Sequence, residues 1–347
     1  MELITGENDK NRRLDRILRK ALPGCPLPLI HRLIRQKQVL INGKPGKAQD
    51  RLNCGDKILI PSLNDIHKNI NSQYGKKKYN DVLNPGSRKR KNLKTLSVIW
   101  EGRGLLAVNK PAGLSVHGKN SLDTMVLSYL ADKLPPSLSF KPGPLHRLDK
   151  PSSGIVVFSS SLEGGRLFSS LLHERKIKKT YLVITEGIIE KDKLWQDDLF
   201  RDKEKKKTFI NVKSDNHMIK NAITKITPLA VSKAYSLIKA EIETGRTHQI
   251  RAQAAFHGHP LAGDVKYGGR RIIRNFELEI RSEKRERDKE QIAKNRESSE
   301  KKAVFFLHAW KLEFLEYSLE APLPQEFCDI IEVLFNFPYP FENPSSL

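Results

Sequence analysis

Between residues 62 and 95 the chain lacks apolar periodicity and is rich in Asn, Lys, Ser and Gly, with the basic clusters GKKKY and SRKRKNLK. Such a stretch cannot supply a core, so it divides the 347 residues into a short unit before it and a long one after it. It reads as a flexible basic linker whose cations suit the backbone of a polyanion. The formal net charge is +22, far more than solubility requires. Residues 1–95 hold 22 Lys and Arg against 8 Asp and Glu, a net of +14. The excess is therefore concentrated in the first quarter, and nucleic acid is the leading partner, with an anionic membrane surface second.

No stretch approaches the roughly 18 to 20 apolar residues that cross a bilayer. The start MELITGENDKNRR lacks the apolar run of a secretory signal, and Glu2, Glu7 and Asp9 argue against an acid-poor transit peptide. Cys25, Cys54 and Cys328 are odd in number, far apart and without CxxC spacing, so neither a disulfide framework nor a zinc knuckle is expected. A reducing cytoplasm fits.

Residues 12–61 read as a compact module. Leu14, Ile17, Leu18 and Leu22 fall at helical spacing, and after the break PGCPLP so do Leu29, Ile30, Leu33 and Ile34. VLINGK and DKILIP each offer a short strand. The run RLDRILRK, LIHRLIRQKQVLINGK, GDKILIP resembles the S4-type RNA-binding domain. In that family the second helix and the following turn face structured RNA, which implies RNA contacts for Arg32, Arg35, Lys37, Asn42 and Lys44.

From residue 96 to about 340 the pattern changes to strand-like segments: LSVIW, LLAVNKP, GIVVFSS, KTYLVITEG, KTFINV, YSLIKAEIE and VFFLHAWKLEFL. Helical patterns lie at 121–134 and 162–175. Many strands without a regular βαβ repeat predict an α+β fold with a mixed, mainly antiparallel sheet. Residues 274–302 are almost wholly polar with mixed charge, and read as an exposed helix or a disordered insertion.

The chemistry is concentrated in NKPAGLSVH (109–117), HRLDKPSSGIVVFS (146–159), KKTYLVITEG (178–187), TGRTHQIRAQAAFHGHPLAGDVKYG (244–268) and FLHAWKLEF (306–314). Asp149 sits between a basic tripeptide and a Pro-Ser-Ser-Gly turn, at the entry to the apolar run Ile155 to Phe158. There it is either a turn cap or a functional carboxylate. His257 and His259 in HGHP have no further ligands at metal-site spacing, so no metal is expected. Neither GxxxxGK[ST] nor GxGxxG is present, so no nucleotide cofactor is expected.

Taken in order, these motifs resemble the RluA family of pseudouridine synthases. The resemblance implies an isomerase of structured RNA that works without a cofactor. It makes Asp149 the catalytic carboxylate, acting either as a nucleophile at C1′ or as a base at C2′. Either role requires the anion, and a carboxylate shielded from water needs a cation beside it. The resemblance assigns that place to Arg246, the first residue of RTHQIR. It further implies that Tyr181 stacks on the uracil, and that Arg147 enters the space left when the target nucleotide is flipped out. His146, Thr247, His248 and Gln249 would support these groups. Within the family, an S4-type module ahead of such a domain points to large-subunit (23S) ribosomal RNA or an assembling subunit, with transfer RNA as the alternative. The working form is expected to be a monomer. A non-catalytic RNA-binding or ribosome-assembly factor is the reading from a different class. An RNA- or glycoside-cleaving hydrolase would call for a second carboxylate or a metal.

Overall fold

The computed structural model describes residues 1–22, 25–62, 95–202, 204–211, 219–270 and 305–336. All of the linker except its end residues, and the whole 274–302 insertion, lie outside the described residues.

The amino-terminal unit runs β1 (Glu2–Ile4), a 3-10 turn (Glu7–Asp9), β2 (Arg12–Arg13), α1 (Leu14–Ala21), α2 (Leu27–Arg35), β3 (Leu40–Ile41), β4 (Lys44–Pro45), β5 (Arg51–Leu52) and β6 (Lys57–Leu59). The helically spaced Leu and Ile residues of α1 and α2 meet Val39, Leu52, Ile58 and Ile60 in one core. Each fully buried Leu or Ile there contributes about 1.5 to 3 kcal/mol. The four-stranded sheet has the order β1-β6-β3-β4. Its edge strand β1 pairs antiparallel with β6, so the unit begins ahead of the residue 12 expected from the apolar pattern.

The larger unit runs β7 (Val98–Gly102), β8 (Leu105–Lys110), α3 (Leu122–Leu130), β9 (Gly143–Pro144), β10 (Ser153–Ser159), α4 (Leu162–His173), β11 (Lys178–Glu186), β12 (Lys193–Asp202), β13 (Lys207–Ile210), β14 (Lys220–Val231), β15 (Tyr235–Ile242), α5 (Gln249–Phe256), β16 (Leu307–Phe314), β17 (Tyr317–Glu320) and α6 (Gln325–Phe335). Its sheet follows the path β13-β12-β14-β15-β11-β16-β10-β8-β7, with β17 beside β16 and β9 beside β10. Among the described residues only β10 and β16 pair parallel within it, so the sheet is mixed and mainly antiparallel, as the strand pattern predicts.

Strand β10 explains its own apolar run. Val156 and Phe158 face the core shared with α3 and α5, while Ile155 and Val157 face the core shared with α4. A strand covered on both sides has no polar face to alternate with. Gly154, the second residue of this strand, has φ +109°, and a Cβ there would run into the backbone of Ala309 on β16.

Among the described residues four strands (β9, β12, β14 and β17) and two helices (α5 and α6) depart from the sequence pattern. In β12 the inward positions are Trp195, Asp197 and Leu199, and the buried Asp197 conceals the alternation. In β14 Pro228 interrupts the strand signal, and the register with β15 shifts between Pro228 and Ala230. The motif QIRAQAAF is the helix α5. Among the described residues no helix is long and apolar enough to cross a membrane.

Candidate active site

Asp149 lies in the turn that enters β10. The backbone alternates there: Arg147 is exposed, Leu148 is buried as an anchor, and Asp149 is partly exposed. The turn is pinned at the next residue. The Lys150 carbonyl accepts from the Gly113 N–H at 2.8 Å and from the Lys110 ammonium at 3.2 Å. Lys110 is fully buried, and its Nζ also donates to the carbonyls of Pro111 (3.1 Å) and Leu114 (2.9 Å). Burial pushes its pKa down to about 8, with the nearby Asp149 pulling the other way. It therefore ties the NKPAG loop to the Asp149 turn and sets a second positive charge behind the carboxylate.

The cation in contact with Asp149 is Arg251. Its Nη1 donates to Asp149 Oδ2 at 2.8 Å, while Nε and Nη2 grip Asp264 at 2.6 and 2.8 Å. The guanidinium also lies over the rings of Tyr267 and Phe305, 4.9 and 4.4 Å from their centroids. Burial disfavours the charge on Arg251, but its bonds to Asp264 and its interaction with Asp149 outweigh this and raise its pKa. Side-chain exposure distinguishes the two carboxylates: Asp264 is 2% exposed and Asp149 17%. Asp149 is thus the open end of the chain Asp264–Arg251–Asp149, and the end a substrate can reach.

This corrects the expectation for Arg246. The left-handed backbone of His248 (φ +57°) turns the chain into α5 between the two arginines. Arg246 stays in the preceding turn, exposed, with its Nε donating to the Asn221 carbonyl at 3.3 Å. Arg251, inside the helix, points inward. Gln249 fastens this helix start: its Oε1 accepts from Thr244 Oγ1 (2.8 Å) and the Arg246 N–H (3.0 Å), and its Nε2 donates to Thr224 Oγ1 (2.9 Å) and the Ile223 carbonyl (3.1 Å). The exposed Thr247 contributes its carbonyl, which accepts from Thr208 Oγ1 at 2.8 Å.

His248 faces the other carboxylate oxygen, with Nε2 3.6 Å from Asp149 Oδ1. Its Nδ1 meets Tyr267 Oη at 2.8 Å and Arg201 Nη1 at 3.4 Å. Tyr267 Oη already accepts from the Thr208 N–H at 2.8 Å, leaving its own proton to donate. With two donors on Nδ1, the neutral ring carries its proton on Nε2, towards Asp149. Burial pushes the pKa of His248 down to about 4 against the pull of Asp149, so the ring is neutral at physiological pH.

Tyr181 on β11 is buried within electrostatic reach of Asp149; burial, then that negative charge, raises the pKa of its hydroxyl and keeps it a phenol. His146 sits further back: its Nε2 accepts from the Val157 N–H at 3.0 Å, and burial pushes its pKa down to about 4. His257 and His259 diverge, one to Asp197 (3.1 Å) and the other to the Glu186 carbonyl (3.3 Å).

On the amino-terminal unit Arg35, Lys37 and Lys44 are exposed and Arg32 half-buried. Asn42, expected at phosphate, is held within a turn: its Nδ2 donates to Asp56 Oδ1 and its Oδ1 accepts from the Lys57 N–H, both at 2.9 Å.

Lys110, Arg201, Arg251, Asp264 and Tyr267 escaped the sequence reading, although four of the five lie inside or beside quoted motifs. Arg251 could have been found by placing RTHQIRAQAAF on a helix and asking which arginine faces the sheet. A buried lysine leaves no such mark in a chain this basic.

Residues 104–256 match the RNA pseudouridylate synthase family, and residues 12–58 match the S4 domain. A relative from Neisseria meningitidis serogroup A, ribosomal large subunit pseudouridine synthase D, is 30% identical over 332 residues, covering 93% of this chain and 78% of its own. Ribosomal large subunit pseudouridine synthase C of Buchnera aphidicola is 29% identical over 279 residues, covering 79% and 82%. Among solved structures, human RNA pseudouridylate synthase domain containing 4 shares the fold, with TM-score 0.53 and 23% identity over 70% of this chain and 95% of that one. The chain belongs to the RNA pseudouridylate synthase family and is an isomerase acting on RNA, with an S4 domain at its amino-terminal end.

Proposed function

We propose that this protein converts uridine to pseudouridine in large-subunit ribosomal RNA, as a cytoplasmic monomer and without a cofactor, using Asp149 as the catalytic carboxylate. The observation that carries the reading is the Asp264–Arg251–Asp149 chain, whose single accessible end is Asp149. The two bacterial relatives reported above are both named for the large ribosomal subunit.

The reaction breaks N1–C1′, turns the base and joins C5 to C1′, with no redox change. Arg251 occupies Asp149 Oδ2, which leaves Oδ1, beside the Nε2–H of His248, as the oxygen that meets the ribose. That oxygen attacks C1′ or takes the C2′ proton. Tyr181 offers a phenol ring for the uracil to stack on. Arg147, two residues from the carboxylate and exposed, fills the gap left by the flipped nucleotide. Exposed cations of the S4 domain hold RNA phosphates.

Tritium release from RNA labelled at uridine C5 tests the assignment. Wild type should release tritium from large-subunit RNA, and Asp149→Asn should not. Release no greater than the Asp149→Asn background from both ribosomal and transfer RNA would leave a binding or assembly role. Release from transfer RNA alone would move the substrate. Carbodiimide mapping in cells with and without the gene identifies the uridines.

A further inference from the structure

The S4 domain does not simply trail from the catalytic domain; the two are joined by a buried carboxylate. Asp9, in the 3-10 turn ahead of β2, is 0% exposed and accepts five hydrogen bonds. One comes from its own unit, the Gly6 N–H at 3.0 Å. The other four come from the catalytic domain's 137–139 segment: Ser137 Oγ (2.8 Å), the Leu138 N–H (2.9 Å), the Ser139 N–H (3.0 Å) and Ser139 Oγ (2.5 Å). Arg12 closes the joint from the S4 side, its Nη1 donating to the Ser139 carbonyl (3.0 Å) and Oγ (2.9 Å). Asn8 Oδ1 accepts from the Leu162 N–H at the start of α4 (2.9 Å), and Leu138 packs against the S4 core.

We infer that Asp9 locks the S4 domain onto the catalytic domain, so that the basic end of α2 and the Asp149 site stand at one fixed span and select RNA whose two contact points match it. The second half of this statement rests on the function proposed above; the first does not. All five partners are donors, so the site demands an acceptor-only carboxylate. An anion taken out of water is tolerated only because every lone pair is engaged. Locking two binding surfaces removes the entropy of orienting them on each RNA encounter, and excludes RNA with the wrong separation. Asp9 is thus a positioning residue for specificity, remote from the reacting atoms.

Gly6 provides a clean perturbation. Its backbone (φ −100°, ψ 179°) suits any residue, yet a Cβ there would run into the Pro136 carbonyl oxygen across the joint. Gly6→Ala should therefore open the joint without straining the S4 domain, and Asp9→Asn should open it by setting N–H against N–H. Spin labels at Lys44→Cys and Lys191→Cys, in the full chain with Cys25, Cys54 and Cys328 changed to Ser, report the span by pulsed dipolar spectroscopy. The parent should give one narrow distance, and each joint variant a broad distribution. On large-subunit RNA, Gly6→Ala should raise KM at least tenfold while kcat stays within twofold. A broad distribution in the parent, or a narrow one surviving in Gly6→Ala, overturns the lock. If Asp9→Asn fails to fold, Gly6→Ala decides alone. A narrow parent distance in a protein that releases no tritium overturns only the proposed reaction.

Discussion

Replacing Arg251 by Lys keeps the positive charge and removes the fork. The guanidinium holds two carboxylates through bonds of 2.6, 2.8 and 2.8 Å, whereas an ammonium in the same place is a point charge that cannot span both with that geometry. At least two charge-assisted bonds are lost, at about 1.5 to 3 kcal/mol each. Little water enters to compensate, because the side chain is only 6% exposed. A loss of about 3 kcal/mol or more, at about 2 to 4 °C per kcal/mol for a domain of this size, lowers Tm by about 10 °C. If about 3 kcal/mol of it was orienting Asp149, kcat falls about 100-fold. Arg246→Ala removes one 3.3 Å bond from an exposed side chain and should cost less than about 0.5 kcal/mol. Arg251→Met with Asp264→Asn also removes the stranded buried charge, and should recover much of the Tm but none of the activity. Calorimetry gives Tm, and tritium release gives kcat. Wild-type Tm and rate in Arg251→Lys would refute the argument; so would a 100-fold loss in Arg246→Ala at unchanged Tm, which would return the role to Arg246.

Three further outcomes are expected. His146, His248 and His308 all have pKa values pushed down to about 4 by burial, below the ordinary 6.5 of the unfolded chain. Their contribution to stability is whole above about pH 6.5 and is lost as the pH falls towards 4, at up to about 1.4 kcal/mol per pH unit for each ring; a denaturant midpoint flat across that window would contradict it. Lys110→Met removes the donor to the carbonyls of Pro111, Leu114 and Lys150, the last of which keeps the Gly113 N–H, and should cost about 2 kcal/mol or more in chemical denaturation, with a value under about 1 kcal/mol showing that the ammonium does not hold the Asp149 turn. Arg35→Ala with Lys37→Ala should flatten the salt dependence of RNA binding by about one to two in the log–log slope, while Asn42→Ala should leave that slope unchanged.

The fold was most legible where burial is one-sided or complete. The heptad-like spacing of Leu14 to Leu22 and the unbroken run Ile155 to Phe158 report their surroundings directly, because the hydrophobic period copies the geometry of the element. It failed where a polar group is buried for a reason outside its own strand. Asp197 reads as solvent-facing in the sequence, and only the structure shows that it receives Gln253 Nε2 at 2.7 Å and His257. The site divides in the same way. Asp149 stands out because its turn is unusual, whereas two arginines five positions apart look alike until a left-handed His248 sends them in different directions. Asp9 gave no hint of its role, since its partners lie about 130 residues away in the chain.

The placement of β16 has a consequence for biosynthesis. This strand, encoded near the end of the chain, inserts between β11 and β10. Until the ribosome has released residues 307–314, Tyr181 and the Asp149 turn belong to two half-sheets with unpaired edges facing each other. A nascent polypeptide can complete its S4 domain early, yet it stays chemically silent, and prone to sticking, until β16 closes the seam.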